Sequence, residues 1–440
     1  MAETTGKNAT IGPVAAPAPE RRLRRRPRRG WWRSWQVRLA LFFAVFGPGF
    51  ITANVDNDPG GIFTLSQAGA QFGYLLLWTL VPITIALIVV QEMSARMGAA
   101  TGKGLSDLIR EEFGFRWTFF AMVVLGAADF GNIAAEFSGL AAGMGIFGVS
   151  KFIVVPIGAF LVWALVVRGS YRPVEKVLIA LSFIYLAYPI SAFLAHPNWG
   201  LAMQRLAIPT FSRDSAYLVM VLGLIGTTIT PWMQFYLQAS IVEKGIGKKE
   251  YGLSRWDVIS GCVITDVVSF FIIAACAATL FVAGRHDVKS AADAAMALGP
   301  LAGRYASLLF AVGLINAALL SAAILPLATS YNICEGLGFE SGVDKRFAEA
   351  PAFYWLYTLL IAAGAGFVLI PHLPLIRVII WSQVANGILL PVVLVFMLIL
   401  INKEAVMGEY RNRRFANAVA WTTCVIIVAV TALWLATGGA

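Results

Sequence analysis

Apolar residues gather into eleven long runs along the chain, at roughly 38–70, 73–97, 117–144, 148–168, 175–195, 214–243, 256–284, 300–335, 350–371, 375–402 and 415–437. Each is near or above the ~20 residues with which a helix crosses the hydrocarbon core of a bilayer, and about twice the length of a barrel strand. The pattern therefore predicts an all-α membrane protein with eleven transmembrane helices. The first and sixth runs are too long for one straight helix, and polar residues, Gly and Pro interrupt both. The first reads Gly47-Pro48-Gly49-Phe50, then Asn54-Val55-Asp56-Asn57-Asp58-Pro59-Gly60-Gly61. Pro59 lacks a backbone donor and disfavours helix at Asp58, so the helix is expected to break there. The sixth run does the same at Gly226-Thr227-Thr228-Ile229-Thr230-Pro231. Carbonyls exposed by such breaks are tolerated at membrane depth only around a buried cavity.

Breaks five spans apart point to two five-helix repeats of opposite orientation, helices 1–5 and 6–10. That is the LeuT-type inverted repeat, with its site between the broken helices near mid-membrane. The chain then divides into a basic cytoplasmic tail (1–36), a first repeat (37–196), a second repeat (197–402), and a loop with the eleventh helix (403–440). Lys and Arg set the orientation. The second-to-third connection carries Arg96, Lys103, Arg110 and Arg116, and the sixth-to-seventh carries Lys244, Lys248, Lys249 and Arg255. The tenth-to-eleventh carries Lys403, Arg411, Arg413 and Arg414, while the alternate loops are poorer in basic residues. The expectation is a multi-pass protein of the cell inner membrane, N-terminus cytoplasmic and C-terminus extracytoplasmic.

Composition agrees: 59% of residues are hydrophobic, 13% charged, and mean hydropathy is +0.75. Soluble domains hold about a quarter charged residues. The net charge of +10 comes mostly from the loop bias and the tail. The tail, with Arg21, Arg22, Arg24, Arg25, Arg26, Arg28 and Arg29, is expected to be disordered. Trp31, Trp32 and Trp35 form an interfacial anchor beside it, and the arginines suit anionic lipid headgroups rather than nucleic acid. The stretch Gly98 to Gly104 lacks the spacing and Ser/Thr of a phosphate loop. No Ser-His or Cys-His pairing stands out, and Cys262, Cys276, Cys334 and Cys424 fall singly in apolar runs, as packing residues do. The reading is a monomer, not an enzyme, with no cofactor.

An aspartate at membrane depth costs about 3 kcal/mol on insertion scales, and more in simulation. Asp58 at a break, with carbonyl oxygens and no buried basic partner in the run, suits a cation. Asp129, Asn132 and Glu136 fall on one helical face, either a hydrogen-bonded packing face or the remnant of a proton path. Asp266 is a second isolated acid, in the seventh span. The Gly139–Gly143 pair fits close packing within the bundle.

Several segments resemble the NRAMP family of divalent metal transporters. They are Gly47-Pro48-Gly49-Phe50, Asp58-Pro59-Gly60, Gln67 to Trp78, Ser94 to Lys103, Thr228 to Pro231, Ser382 to Val384, and Met407 to Tyr410. The resemblance implies a LeuT-type fold and Mn²⁺ or Fe²⁺ uptake coupled to protons. The departures lie at the site. The family's Asp-Pro-Gly-Asn is Asp58-Pro59-Gly60-Gly61, its Met-Pro-His is Thr230-Pro231-Trp232, and its third-span Asp-x-x-Glu is matched to Asp129 and Asn132. These changes look like the NRAMP-related magnesium transporter branch.

Ligand chemistry agrees with that branch. Thioether sulfur suits transition metals, whereas hydroxyl, carbonyl, carboxylate and water suit Mg²⁺, which keeps several waters. The expected metal site is Asp58 as charged ligand, the Thr230 hydroxyl, the Thr227 carbonyl and Gln383, with Gly61 supplying space or its carbonyl. Asp56 lines the approach. The function expected is divalent metal transport, Mg²⁺ with Mn²⁺ also permeating, uncoupled from protons and driven by the electrochemical gradient. The alternatives are a proton-coupled Mn²⁺/Fe²⁺ symporter and a non-transporting metal sensor.

Overall fold

Helix boundaries in the computed structural model, which describes residues 57–168, 187–342 and 345–437, follow from local backbone chemistry. All of these residues belong to one compact unit spanning 43–440. Helix α1 (Pro59–Phe72) starts on a proline, whose missing N–H is an orphan at that position anyway. It stops at Gly73, held at φ 57°, a conformation that a side chain resists. A turn and a single 3₁₀ turn at Leu77–Thr79 follow before α2 (Leu80–Thr101), which closes on the left-handed Gly102. The helical stretch of the second span, Leu77–Thr101, thus lies four residues later at each end than its hydropathy predicts, and Gly73 inserts a turn that apolar residues conceal.

A short amphipathic helix, α3 (Leu105–Phe113), leads into α4 (Phe115–Gly145) and α5 (Lys151–Val167). Next come α6, described from Ala187 to Leu194, and the short helix α7 (Trp199–Ala207). The sixth run forms α8 (Ser215–Thr228) and α9 (Pro231–Glu243), interrupted as expected. Then come α10 (Tyr251–Cys276), α11 (Ala306–Leu337), α12 (Pro351–Val368), α13 (Leu375–Asn402) and α14 (Arg414–Ala436). Helices α3 and α7 lie in connections where hydropathy gives no signal. Among the described residues, eight helical stretches are long and apolar enough to cross a membrane, and α5 is a shorter apolar helix. Asp56, most of the first span, the start of the fifth span and the basic tail lie outside the described residues.

The α8–α9 pair is the centre of the bundle: 89% of its most apolar stretch is buried, against 17% for α14, which lies at the periphery. The two halves of the sequence interlock, since α4 packs on both α11 and α13, and α1 packs on both α8 and α13. Small residues permit the closest approaches. A methyl group on Gly226 of α8 would overlap the carbonyl oxygen of Gln383 and the amide of Gly387 on α13. One on Gly139 of α4 would overlap the Pro59 ring, and one on Gly143 would meet Ile315 of α11 at 2.9 Å. The Gly139–Gly143 pair therefore serves packing within the bundle. All four cysteines are buried and unbridged.

Candidate functional site

The starts of α1 and α9 are built alike, and what precedes Asn57 lies outside the described residues. Asp58 and Thr230 are extended residues (ψ 177° and 143°), each followed by a proline that opens a helix. At the first break the Asp58 carboxylate accepts a hydrogen bond from the Gly61 amide at 2.7 Å, which makes it the N-cap of α1. Gly61 thus meets the Asp58 carboxylate through its N–H. At the second break the Thr227 carbonyl has no helical partner, because the residue four positions on is Pro231. The C-terminal end of α8 carries negative partial charge toward the break. The Thr230 carbonyl is occupied by the Gln234 side-chain amide (2.9 Å), but the Thr227 and Thr230 hydroxyls are buried without a hydrogen-bond partner. Orphaned buried oxygens of this kind are rare in folded proteins and fit the donor set of a hard cation.

Gln383 of α13 reaches the first break. A methyl group on Gly60 would collide with the Gln383 amide and lie 2.8 Å from Asp58 Oδ1, so the amide and the carboxylate face each other across the glycine. The Gln383 carbonyl accepts from Asn386 (3.1 Å), whose amide also donates to Asn132 of α4 at 2.6 Å. Asn132 in turn lies 3.5 Å from Asp129, which accepts from the Thr329 hydroxyl of α11 at 2.6 Å. A buried polar chain thus runs from the break through α13 and α4 to α11. The Asp129–Asn132–Glu136 face is turned wholly inward, and all three residues are buried.

Glu136 is the residue that sequence reasoning left without a role. It lies near the Asp58 carboxyl, and no hydrogen bond joins the two, since both Glu136 oxygens are buried without a partner. The proximity follows from packing: Gly139 backs onto Pro59, which brings the preceding turn of α4 beside Asp58. No Lys, Arg or His among the described residues forms an ion pair with either carboxyl. Two carboxyl groups held together in a water-poor interior require a cation or a proton between them. The spacing of acids on α4 was the available signal, but it does not say which acid meets the break. Trp232, beside the second break, is buried against Tyr236. Asp266 is buried on α10 against Thr84 of α2 and shares no hydrogen bond with the chain from Gln383 to Thr329. No group of three or more His, Cys, Asp or Glu gathers among the described residues; the candidate donors are the Asp58 and Glu136 carboxyls with the Gln383 amide at the start of α1, and the Thr227 carbonyl with the Thr227 and Thr230 hydroxyls at the second break.

Residues 49–437 match the family described as Nramp, natural resistance-associated macrophage protein-like. The chain belongs to the Nramp family. It is 30% identical over 411 residues to the divalent metal cation transporter MntH of Klebsiella pneumoniae subsp. pneumoniae, an alignment covering 92% of this chain and 95% of that protein. Among solved structures it resembles the Eremococcus coleocola manganese transporter in complex with an aromatic bis-isothiourea substituted compound. That match has a TM-score of 0.72 at 23% identity, covering 95% of this chain and 88% of the other. A histidine-to-alanine mutant of the same transporter gives 0.70 at 22% identity, covering 90% and 86%. The nucleobase-cation-symport-1 transporter MHP1, closed around bromovinylhydantoin, gives 0.55 at 11%, covering 89% and 93%. This Nramp chain is therefore an all-helical, multi-pass membrane protein with the LeuT-type fold that its two breaks predicted.

Proposed function

We propose that this Nramp protein carries a divalent metal cation across the membrane, holding it between the two breaks. The observation that carries the reading is a pair of buried carboxyl groups, Asp58 and Glu136, that no basic side chain among the described residues pairs with, together with the unpartnered buried hydroxyls of Thr227 and Thr230 at the second break. Asp58 supplies charge, the Thr227 carbonyl and Thr230 hydroxyl close the site from α8–α9, and Gln383 faces it from α13. Gly61 holds the Asp58 carboxylate through its N–H. The ion is the cargo, and the protein needs no cofactor.

The finer reading is Mg²⁺, with Mn²⁺ also permeating, uncoupled from protons. Its support is the ligand set, all oxygen where Thr230 and Gly61 stand in place of a thioether and an amide. Membrane potential suffices as a driving force. A divalent ion gains about 4.6 kcal/mol per 100 mV, enough for accumulation on the order of a thousandfold. A second reading, a proton-coupled Mn²⁺/Fe²⁺ symporter, is favoured by Glu136 itself, a carboxyl beside Asp58 where a proton can replace the metal. Uptake into proteoliposomes under a set potential, with Mg²⁺, Mn²⁺ and Ca²⁺ compared and an internal pH dye present, separates the two. The first reading expects potential-dependent Mg²⁺ uptake with lumenal pH unmoved. Metal-dependent acidification, lost in Glu136→Gln or Asp129→Asn, establishes the second.

A further inference from the structure

Away from the breaks, a cavity of about 640 Å³ opens where α2, α10, the 409–413 connection and the start of α14 meet. Four arginines line it, Arg96, Arg255, Arg411 and Arg413, against two glutamates, Glu92 and Glu409. This is the end of the bundle at which the sequence concentrates its basic connections. Arg96 is the buried one of the four, only 8% exposed. Its terminal nitrogens are engaged by Glu92 (3.2 Å), the Arg411 carbonyl (3.2 Å) and Asn412, but its Nε is buried without a partner. Glu92 is further tied down by the Tyr251 hydroxyl, and Arg411 is paired with Glu404 at 2.9 Å. Arg255 and Arg413 form no ion pair among the described residues and stand exposed at the mouth.

We infer that this cavity binds the phosphate of an anionic phospholipid headgroup. A guanidinium fork matches phosphate oxygens in two-point, charge-assisted bonds. Arg255 and Arg413 are the exposed forks, Arg255 near enough to Glu92 to feel its charge, and the Arg96 Nε–H is a buried donor without a partner among the described residues. The walls suit the rest of a lipid. Ile88, Val89, Ile259 and Phe415 line the same cavity, and Phe415 is 70% exposed. Trp256, next to Arg255, is 65% exposed, as an aromatic at the membrane–water boundary would be. Basic pockets between transmembrane helices are known to hold acidic headgroups. The peripheral α14 would then be fastened to α2 and α10 by a lipid as well as by side chains.

The test uses the full chain in mild detergent, with native mass spectrometry reading bound lipid. Phosphatidylglycerol, phosphatidylcholine of the same acyl chains, and inorganic phosphate are the three probes. Wild type should retain phosphatidylglycerol over phosphatidylcholine. Arg255→Gln with Arg413→Gln should weaken retention roughly a hundredfold, about tenfold for each guanidinium–phosphate pairing removed. Both side chains are exposed and unpaired, so the variant should elute from gel filtration as wild type does. Arg411→Gln, whose guanidinium is already held by Glu404, should change retention about twofold or less. Equal retention by wild type and double variant, or equal retention of the two lipids, overturns the proposal. Displacement of phosphatidylglycerol by millimolar inorganic phosphate overturns the lipid assignment and leaves a phosphate site with a soluble occupant.

Discussion

Asp58 has two separable tasks, and one pair of substitutions divides them. Its carboxylate caps α1 through the Gly61 amide at 2.7 Å, and it supplies charge at the break. Asn caps helices about as well as Asp, whereas Ala at an N-cap costs about 1 kcal/mol. Asp58→Asn should therefore keep the Gly61 bond and the thermal stability of the apo protein, while Asp58→Ala should lose about 1 kcal/mol. The charge task is larger. Removing one partner of a buried charged pair costs about 3–5 kcal/mol, equivalent to roughly a hundredfold to a few thousandfold in affinity. Both variants should thus lose metal binding by that factor, with stability and binding decoupled only in Asn. Calorimetric titration with Mg²⁺ and Mn²⁺, beside uptake in proteoliposomes and a melt in detergent, measures all three quantities. Metal affinity within about threefold of wild type in a folded Asp58→Asn protein would remove Asp58 from the site and place the cation elsewhere.

Two other substitutions test the surroundings of that charge. Gly61→Asn with Thr230→Met adds an amide and a thioether, and Thr230 makes no side-chain cap bond that the change would break. Cd²⁺ binding should strengthen and Mg²⁺ flux should fall more than Mn²⁺ flux; an unchanged Mg²⁺-to-Mn²⁺ ratio refutes the hard-ligand argument. Gly226→Ala pushes a methyl group into the Gln383 carbonyl and the Gly387 backbone, which cannot swing aside as a side chain can. A loss of about 1–3 kcal/mol or more is expected, seen as a lowered melting temperature. Gly126→Ala, which meets only Ile333 Cδ1 at 3.8 Å, should melt as wild type does.

The spans that the described residues contain, their order and the interruption before Pro231 were legible in the chain because each depends on neighbours in sequence. An apolar run long enough to cross a bilayer, and a proline that removes one hydrogen bond, act locally wherever they fall. Asp58, Thr227 and Thr230 were candidates for the same reason, as polar residues at membrane depth beside a proline, whereas Gln383 was a candidate from its place in the tenth span. Hydropathy could not place the turn at Gly73 or the helices α3 and α7, since none changes how apolar its segment is. The neighbour of Asp58 was a matter for the tertiary structure alone. Asp129, Asn132 and Glu136 share a helical face, and only the contact of Gly139 with Pro59 decides that Glu136 stands near the carboxylate. The arginine cavity is of the same kind, because Arg96, Arg255 and Arg413 lie on three elements far apart in the chain. Spacing along a helix tells which side chains share a face; what that face meets is set by the packing of other helices, which no local pattern carries.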